Sequence, residues 1–494
     1  MTDANQDPLS LVVIGASGDL ARRKIFPALF SLYCQRALPD DVRLFGFART
    51  DLDDAAFRRR ITEHLTCRYA PGASCAEEME AFLARCHYVT GEYGSTDSIL
   101  DLYQRMRQLE PRGKVNRLYY LAIPPSIFVT TAESLGNAGL VSCGEESQGW
   151  SRVVVEKPFG RDRPSSDELA LALGQVFQEP DIFRIDHYLG KEVIQNLLVL
   201  RFANSVFEPQ WNRQHLASVQ VTWAENLTLA GRAGYFDRYG IIRDVMQNHL
   251  LQMVALLAME PPDELEASAI RREKVRLLRS IAPVSRADLV TGQFVAAEWD
   301  GRQVPGYTED PAVPDDSRTE TYAAAVLRID NARWQGVPFF MSAGKGLDSR
   351  CTTLRLRFHP LAHRLFDRSG HRPAPNELVI RVQPDEGMHL SLTTKLPGLE
   401  LKLAERKLDL SYGDAFRDHI IPDAYEGLLL EVMRGDRSLF LSGEELAASW
   451  DVFTPVLHAL ESESAAPEGY PFGGPPPAAA LRLLQWAEDA RGCG

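Results

Sequence analysis

The chain has 494 residues, 45% of them hydrophobic and 24% charged, the composition of a globular protein too long for one core. Its net charge of −13 leaves no basic excess for a nucleic-acid backbone, although a local cluster of cations can still hold one small phosphorylated ligand. No apolar run approaches the roughly 20 residues of a membrane span, and Met1-Thr-Asp-Ala-Asn-Gln-Asp7 lacks the basic start and apolar stretch of a signal peptide.

Ser10-Leu-Val-Val-Ile14 is a short apolar run rich in β-branched residues, as expected of a strand buried on both faces of a parallel sheet. Gly15-Ala-Ser-Gly-Asp-Leu-Ala-Arg22 follows at once, and Leu20, Leu29 and Leu32 then repeat as on a helix. A strand, a glycine turn and a helix in this order cradle a phosphate. Glycine lets the backbone approach, and the helix start offers free N–H groups and the positive end of a dipole. The spacing is Gly-x-x-Gly, so an ordinary βα turn stays open as the alternative. Pro27 is expected to kink or end the helix.

Val42-Arg-Leu-Phe-Gly-Phe-Ala48 reads as a second strand and ends in Arg49. An acid there would bond the ribose of NAD, whereas a cation suits the 2′-phosphate of NADP. A solvated end-of-strand cation is the alternative. Arg117-Leu-Tyr-Tyr-Leu-Ala-Ile123 ends in two prolines, and Arg152-Val-Val-Val155 ends in Glu156-Lys-Pro-Phe-Gly160. Charge and proline thus fall at strand C-termini, where open α/β sheets bind ligands. Pro158 fits a tight cis turn.

Arg184-Ile-Asp-His-Tyr-Leu-Gly-Lys-Glu192 packs an acid, an imidazole, a phenol and an ammonium into six residues, Asp186 to Lys191. With a helix starting near Tyr188, His187 and Lys191 can meet one anion; a polar helix start capped by Asp186 is the plainer alternative. A second cluster, Arg243-Asp-Val-Met-Gln-Asn-His249, opens an apolar helical stripe. His249 is either a core histidine or a base whose imidazole Asp186 orients. Asp244 and His249 are five apart, about 140° around an α-helix, which suits contact with different parts of one ligand.

Ala217–Asn226 alternates as a strand and carries Glu225 at its end, either a sugar-hydroxyl acceptor or an edge-strand acid. Thr321–Ile329, Leu354–Phe358, Glu377–Val382 and His389–Thr394 follow as strand-like runs of a largely antiparallel sheet. Lys345 and Arg350 in Gly344-Lys-Gly-Leu-Asp-Ser-Arg350 either face one anion or make an ordinary charged turn. The Pro- and Gly-rich stretch 469–480 reads as an irregular tail before a last short helix. Cysteines stand at 34, 67, 75, 86, 143, 351 and 493. They are odd in number and lack any Cys-x-x-Cys pair, so no disulfide framework or structural zinc is expected, and a reducing cytoplasm fits.

On these motifs, residues 10–460 resemble the glucose-6-phosphate dehydrogenase family: Gly15-Ala-Ser-Gly-Asp-Leu-Ala, Glu156-Lys-Pro-Phe-Gly160, Arg184–Glu192, Arg201-Phe-Ala-Asn-Ser205, Arg243–His249 and Gly344-Lys345 occur in the family's order. The resemblance implies an α/β N-terminal Rossmann-like domain, residues 8–185. It also implies a larger α+β domain with an antiparallel-rich sheet, residues 186–494, for substrate binding and oligomerisation. It implies His249 as general base and Asp186 as its partner, with His187, Tyr188 and Lys191 on the phosphate. Glu225, Asp244, Lys345 and Arg350 are similar to the family's sugar-side residues. Lys24, with the substrate, and Lys157, with the cofactor, resemble lysines lying between the two. Gly15, Ala16, Ser17, Gly18, Asp19, Leu20 and Arg49 resemble the cofactor-binding set, for NADP with NAD as the weaker substitute. The implied reaction takes β-D-glucose 6-phosphate to 6-phosphoglucono-δ-lactone, the first oxidative step of the pentose phosphate pathway, without a metal, in a cytoplasmic homodimer or homotetramer that binds neither nucleic acid nor membrane. Some members hold a second, structural NADP; Cys351, His389 and Ser391 at the matching places speak against one here.

Two other functions are compatible with a Rossmann-like start. One is an oxidoreductase with a Glu-Lys-Pro motif acting on an unphosphorylated sugar, which would ordinarily lack the Arg-Ile-Asp-His-Tyr cluster. The other is a non-catalytic NADP- or sugar-phosphate-binding regulator, which would be expected to have lost Asp186 or His249.

Overall fold

The computed structural model describes residues 7–70, 72, 74–141, 149–229, 231–363, 365–366, 373–463 and 465–489. They form two compact units. The first holds the described residues through Gly190 together with Glu264–Arg271 and Ile420–Leu446; the second holds Lys191–Asp263, Arg272–His419 and the described residues from Ala447 onward. Strands β1 (Leu9–Ile14), β2 (Val42–Ala48), β3 (Cys86–Thr90), β4 (Asn116–Leu121), β5 (Ser151–Val155) and β6 (Ile182–Ile185) belong to the first unit. The second contributes β7 (Leu216–Ala224), β8 (Leu289–Val295), the hairpin β9 (Ala297–Trp299) and β10 (Arg302–Val304), β11 (Tyr322–Arg328), β12 (Pro338–Gly344), β13 (Cys351–Phe358), β14 (Glu377–Gln383), β15 (Gly387–Lys395) and β16 (Leu403–Ser411). Of the last two, β17 (Phe440–Leu441) returns to the first unit and β18 (Glu468–Pro471) to the second.

In the first unit the strand order is β17-β6-β5-β4-β1-β2-β3. All neighbours run parallel except the short β17, which is antiparallel to β6. Read inward from β3 the order is 3-2-1-4-5-6, that of a dinucleotide-binding fold, whose direction of winding switches between β1 and β4. β1 is buried at every position because its apolar, β-branched residues serve both faces of the sheet. Each such valine or isoleucine contributes roughly 1.5–3 kcal/mol.

Pro27 does not end the first helix. A π-helical turn, Ala21–Ile25, runs straight into the α-helix Phe26–Cys34, and Pro27 lies in the first turn of that α-helix. Because the two segments form one continuous helix, Pro27 leaves a gap in the ladder, and it does so directly after the widened turn in which the Phe26 N–H bonds the Ala21 carbonyl.

The sequence reading divides the chain once, whereas the contacts return two later segments to the first unit. The Ala424–Arg434 helix packs on the Phe26–Cys34 helix and buries Tyr425, Leu428, Leu429 and Val432. Asp423 caps its start by accepting from the Tyr425 N–H at 3.1 Å. At the other end Gly435 takes φ +80°, and Arg152 donates to the carbonyls of Val432 and Met433, each at 2.8 Å, which satisfies carbonyls the helix leaves open.

The expectation is of no disulfide framework, and the structure holds one local pair among the described residues, Cys67 with Cys75, whose Cα atoms lie 5.8 Å apart. A spacing of eight closes the loop between the helices Asp54–Thr62 and Ser74–Ala84, a pairing that a search for Cys-x-x-Cys does not find.

The second unit is built on a nine-stranded sheet in the order β16-β15-β14-β13-β7-β12-β11-β8-β18. It is antiparallel except for the pairs β7–β12 and β8–β18. The expected irregular tail therefore contains a strand, since Tyr470 in β18 is 1% exposed. Its ring packs against Phe294 and Tyr322, enough apolar contact to order a Gly- and Pro-rich stretch. Against β7 and β12 packs a helix that is π-helical over Ile242–Leu250 and α-helical over Leu251–Ala258. Its α-helical half is buried at every position, as befits a helix apolar all round.

Candidate active site

The first unit gathers its polar residues at the C-terminal ends of its parallel strands. After β1, Gly15 takes φ +92°, and a Cβ there would lie 2.2 Å from the Ala122 carbonyl oxygen. Only glycine allows the chain to pass so close. The Gly15 and Ala16 N–H groups donate to the Phe47 carbonyl at 2.8 and 3.3 Å, and the Gly18 N–H donates to the Gly15 carbonyl at 2.9 Å. Ala16 is buried, Ser17 and Leu20 are half-buried, and Gly18 and Asp19 are exposed. This bare, glycine-lined turn at the switch point fits the pyrophosphate of a dinucleotide. Arg49 follows β2 directly and lies 5.3 Å from the centre of the Tyr93 ring. Next to it the Thr50 hydroxyl donates to Ser17 at 3.0 Å, which ties the end of β2 to the glycine turn. Lys24 pairs with Asp423 at 3.0 Å.

After β5 comes Glu156, then the cis bond Lys157–Pro158. Glu156 accepts from the Tyr120 hydroxyl at 2.6 Å and from the Tyr425 hydroxyl at 3.2 Å. Burial holds its carboxyl above the usual range, with the two hydroxyls and Lys157 pulling the other way. After β6 come Asp186, His187 and Tyr188. Asp186 is 2% exposed and accepts from the Tyr188 N–H at 3.0 Å, so it shapes a turn. The His187 ring stands parallel to that of Tyr425, with centres 6.3 Å apart and 5° between planes. Arg184, just before them, is buried and grips Glu179 with both ends of its guanidinium, at 2.8 and 2.9 Å.

In the second unit the helix expected near Tyr188 begins only at Glu192, with Lys191 as its extended N-cap residue. A turn closed by the Leu189 N–H on the Asp186 carbonyl at 3.0 Å precedes it. The Lys191 ammonium lies 3.7 Å from Glu386. Burial raises the Glu386 carboxyl, and Lys191 opposes that shift. Glu225 and Lys345 leave the ends of the parallel neighbours β7 and β12 side by side, joined at 2.8 Å, with the Lys345 ammonium 4.8 Å from the Trp223 ring centre. Arg350 is exposed in the loop before β13.

Asp244 and His249 both lie in the π-helical turn Ile242–Leu250. A π-turn joins residue i to i+5, so they share one side of the helix; the α-helical estimate of about 140° is corrected. The Asn248 side-chain amide donates to the Arg243 carbonyl at 3.1 Å. His249 is 3% exposed. Asp244 is half-buried, and its charge, after burial, pushes up the Tyr235 hydroxyl.

Sequence reasoning missed Tyr120, Tyr425 and Glu386. Tyr425 follows a clear Asp423 cap signal, but nothing in the sequence says that its helix rejoins the first unit. Glu386 sits in the turn between β14 and β15, beside Asp385 at φ +53°, where an acid reads as solvated.

A 3-2-1-4-5-6 parallel sheet with a glycine turn at its switch point, in a chain that also builds a large mixed sheet, defines a two-unit dinucleotide-binding protein of Rossmann type. The chain belongs to the glucose-6-phosphate dehydrogenase family. The family's NAD binding domain matches residues 12–196 and its C-terminal domain residues 198–490. The chain is 49% identical to glucose-6-phosphate 1-dehydrogenase 1, chloroplastic, of Arabidopsis thaliana over 97% of this chain and 82% of that one. It is 44% identical to the cytoplasmic isoform of glucose-6-phosphate 1-dehydrogenase of Solanum tuberosum over 97% and 91%. A solved structure of glucose-6-phosphate dehydrogenase in complex with its substrate glucose-6-phosphate matches it with a TM-score of 0.91 at 38% identity, over 99% of both chains.

Proposed function

We propose that this protein oxidises β-D-glucose 6-phosphate at C1 to 6-phosphoglucono-δ-lactone with NADP, the entry to the pentose phosphate pathway. The observation that carries this is the pairing of an acid and a buried histidine, Asp244 and His249, on one side of a π-helical turn. A helix that needed only a packed face would have no reason to open its hydrogen-bond ladder and bury an imidazole beside it.

In this scheme His249 takes the proton of the C1 hydroxyl, and Asp186 holds the imidazole in the right tautomer and stabilises its charge. His187, Tyr188 and Lys191 hold the phosphate far from C1 and so position the reacting carbon. Glu225, Asp244, Lys345 and Arg350 bond the sugar hydroxyls. Lys24 and Lys157 are assigned to the ground between sugar and cofactor. Gly15, Ala16, Ser17, Gly18, Asp19 and Leu20 hold the pyrophosphate, and Arg49 meets the 2′-phosphate. When bound, the nicotinamide accepts the hydride that leaves C1. The scheme uses no metal.

A cytoplasmic location accords with kinship to the Solanum tuberosum cytoplasmic isoform. A homodimer or homotetramer is supported by the unpaired edge of β16 with Leu408 and Leu410 exposed on it. Among the described residues no helix is long and apolar enough to cross a membrane.

The test is nicotinamide reduction by the purified protein with glucose 6-phosphate, NADP and NAD in parallel, and glucose as control. Fast turnover with NADP, slower with NAD and negligible on glucose is expected. No turnover with either cofactor in a folded protein would favour the non-catalytic regulator, and equal activity on glucose would remove the phosphate set.

A further inference from the structure

We propose that Glu320 is a positioning residue that sets the helix carrying Asp244 and His249 in register with Lys345. It rests on the proposed roles of these three residues and adds what holds them together.

A helix start leaves N–H groups without partners inside the helix, and Ile241 offers no side-chain cap to this one. Glu320, buried at the entrance to β11, supplies the missing acceptors from another element. Its carbonyl accepts from the Ile241 N–H at 3.0 Å, and its carboxylate from the Ile242 N–H at 3.3 Å. The carboxylate lies tucked beneath Gly240, which has φ +67°, where a Cβ would stand 2.3 Å from Glu320 Oε1 and 2.6 Å from its Cδ. Glycine at 240 is therefore required by the carboxylate as well as by the turn.

Burial holds the Glu320 carboxyl at about 7, with the Arg243 charge and the Ile242 N–H drawing it down and Glu461 pushing it up. Arg243 in turn pairs with Glu461 at 2.6 Å.

The next residue fixes the other element. The Thr321 carbonyl accepts from the Lys345 N–H at 2.9 Å. The Thr321 hydroxyl meets that of Tyr470 at 2.8 Å, and Tyr470 donates to the Lys345 carbonyl at 2.6 Å. Two consecutive residues thus grip the start of the base-bearing helix and the backbone on both sides of Lys345. A buried carboxylate is costly, and a plain hydrophobic strand entrance would pack as well, so its retention here calls for a role beyond packing.

The experiment compares the full-length parent with Glu320→Ala, Glu320→Gln and His249→Asn, using glucose 6-phosphate with and without deuterium at C1. Active sites are counted by NADPH titration. Glu320→Ala is expected to lower kcat per NADPH site roughly 10–100-fold, the effect of a misplaced group, with a smaller change in KM. The C1-deuterium effect on kcat is expected to grow, because proton and hydride transfer become slower relative to product release; a mere loss of folded protein would not move it. Glu320→Gln keeps an acceptor oxygen and is expected to recover most of the rate. Parent-like kcat in Glu320→Ala beside an inactive His249→Asn overturns the inference alone. A Gln variant as impaired as the Ala variant also overturns it. An active His249→Asn overturns the assignment of the base and the inference with it. If Glu320→Ala does not fold, Glu320→Asp, whose shorter side chain draws the carboxylate away from the Ile242 N–H, reads the same contact: a kcat loss with a raised isotope effect supports it, and parent kcat overturns it.

Discussion

The two units solve the problem of placing polar side chains in different ways. The first uses strand ends. Gly15, Arg49, Lys157 and Asp186 all follow the last residues of parallel strands whose register is fixed by flanking apolar residues. The second uses a helix whose hydrogen-bonding is locally opened to the π form, seated against β7 and β12 and gripped by side chains from elsewhere. Strand ends are rigid because the sheet is rigid. The π-helical turn is held by what surrounds it, so its site residues answer to distant substitutions in a way that the first unit's do not.

The comparison breaks most sharply at the base. His249→Asn is expected to lower kcat by a factor of ~10³ or more, within the range for loss of a general base, while glucose 6-phosphate still binds. Steady-state rates beside a binding titration check this, and near-parent turnover would take the base role away from His249.

Next in size is the seat of the same helix. Arg201, 1% exposed, donates to the carbonyls of Leu257 and Met259 at the helix end and to Glu208 at 3.1 Å. Arg201→Ala takes a donor from the Met259 carbonyl and one of two cations from Glu208, while Trp211 still donates to the Leu257 carbonyl and Arg333 still pairs with Glu208 at 3.1 Å, so the expected cost is about 1.5–3 kcal/mol, the scale of hydrogen bonds to a charged group. Equilibrium urea unfolding measures it; a loss below about 1 kcal/mol, the scale of an exposed pair, would mean that the helix end is not held this way.

How much of this could be read beforehand follows the same division. Strands β1, β2, β4 and β5 and their terminal residues were legible because an apolar run and its polar end are contiguous in sequence. In the second unit the runs of β7, β11, β13, β14 and β15 were legible, and Glu225, Asp244, His249 and Lys345 stood out as candidates. Their mutual placement was not. The side-by-side exit of Glu225 and Lys345 depends on β7 pairing in parallel with β12, each residue opposite one 120 positions on, as Thr222 is opposite Ser342, and no local pattern encodes such a partner. The π-turn that brings Asp244 and His249 to one side is likewise set by tertiary contact, because helical periodicity alone gives the α spacing. Glu320, Glu386 and Tyr425 act through residues far off in the chain, so composition and motif give them no signal.

Lys191 sharpens the comparison at the N-cap where the second unit begins. Lys191→Ala is expected to raise KM for glucose 6-phosphate roughly 10–100-fold, the worth of one charged hydrogen bond, with little change in kcat. It also leaves the half-buried Glu386 carboxyl without the cation that draws its proton affinity down. A fall in kcat with an unchanged KM would place Lys191 in the chemistry instead of on the phosphate.

The smallest expected effect lies in the first unit, and its sign is set by pH. Tyr425→Phe removes one of the two hydroxyls on Glu156 and keeps the ring beside His187. The cost is about 1 kcal/mol, that of one net hydrogen bond. Burial has raised the folded-state affinity of Glu156 for its proton, and both hydroxyls oppose that shift. A carboxyl raised on folding contributes stability at low pH and loses it as pH climbs from the unfolded value, roughly 4.3, through the folded one. Without the Tyr425 hydroxyl the folded carboxylate is less well matched, so its proton affinity rises further and the loss extends to higher pH. The deficit of Tyr425→Phe relative to the parent should therefore be larger at pH 8 than at pH 5. Thermal unfolding at the two pH values measures the difference. A deficit independent of pH would mean that the hydroxyl serves Glu156 equally in both protonation states, and that this strand end, like the π-turn of the second unit, is held by shape more than by charge.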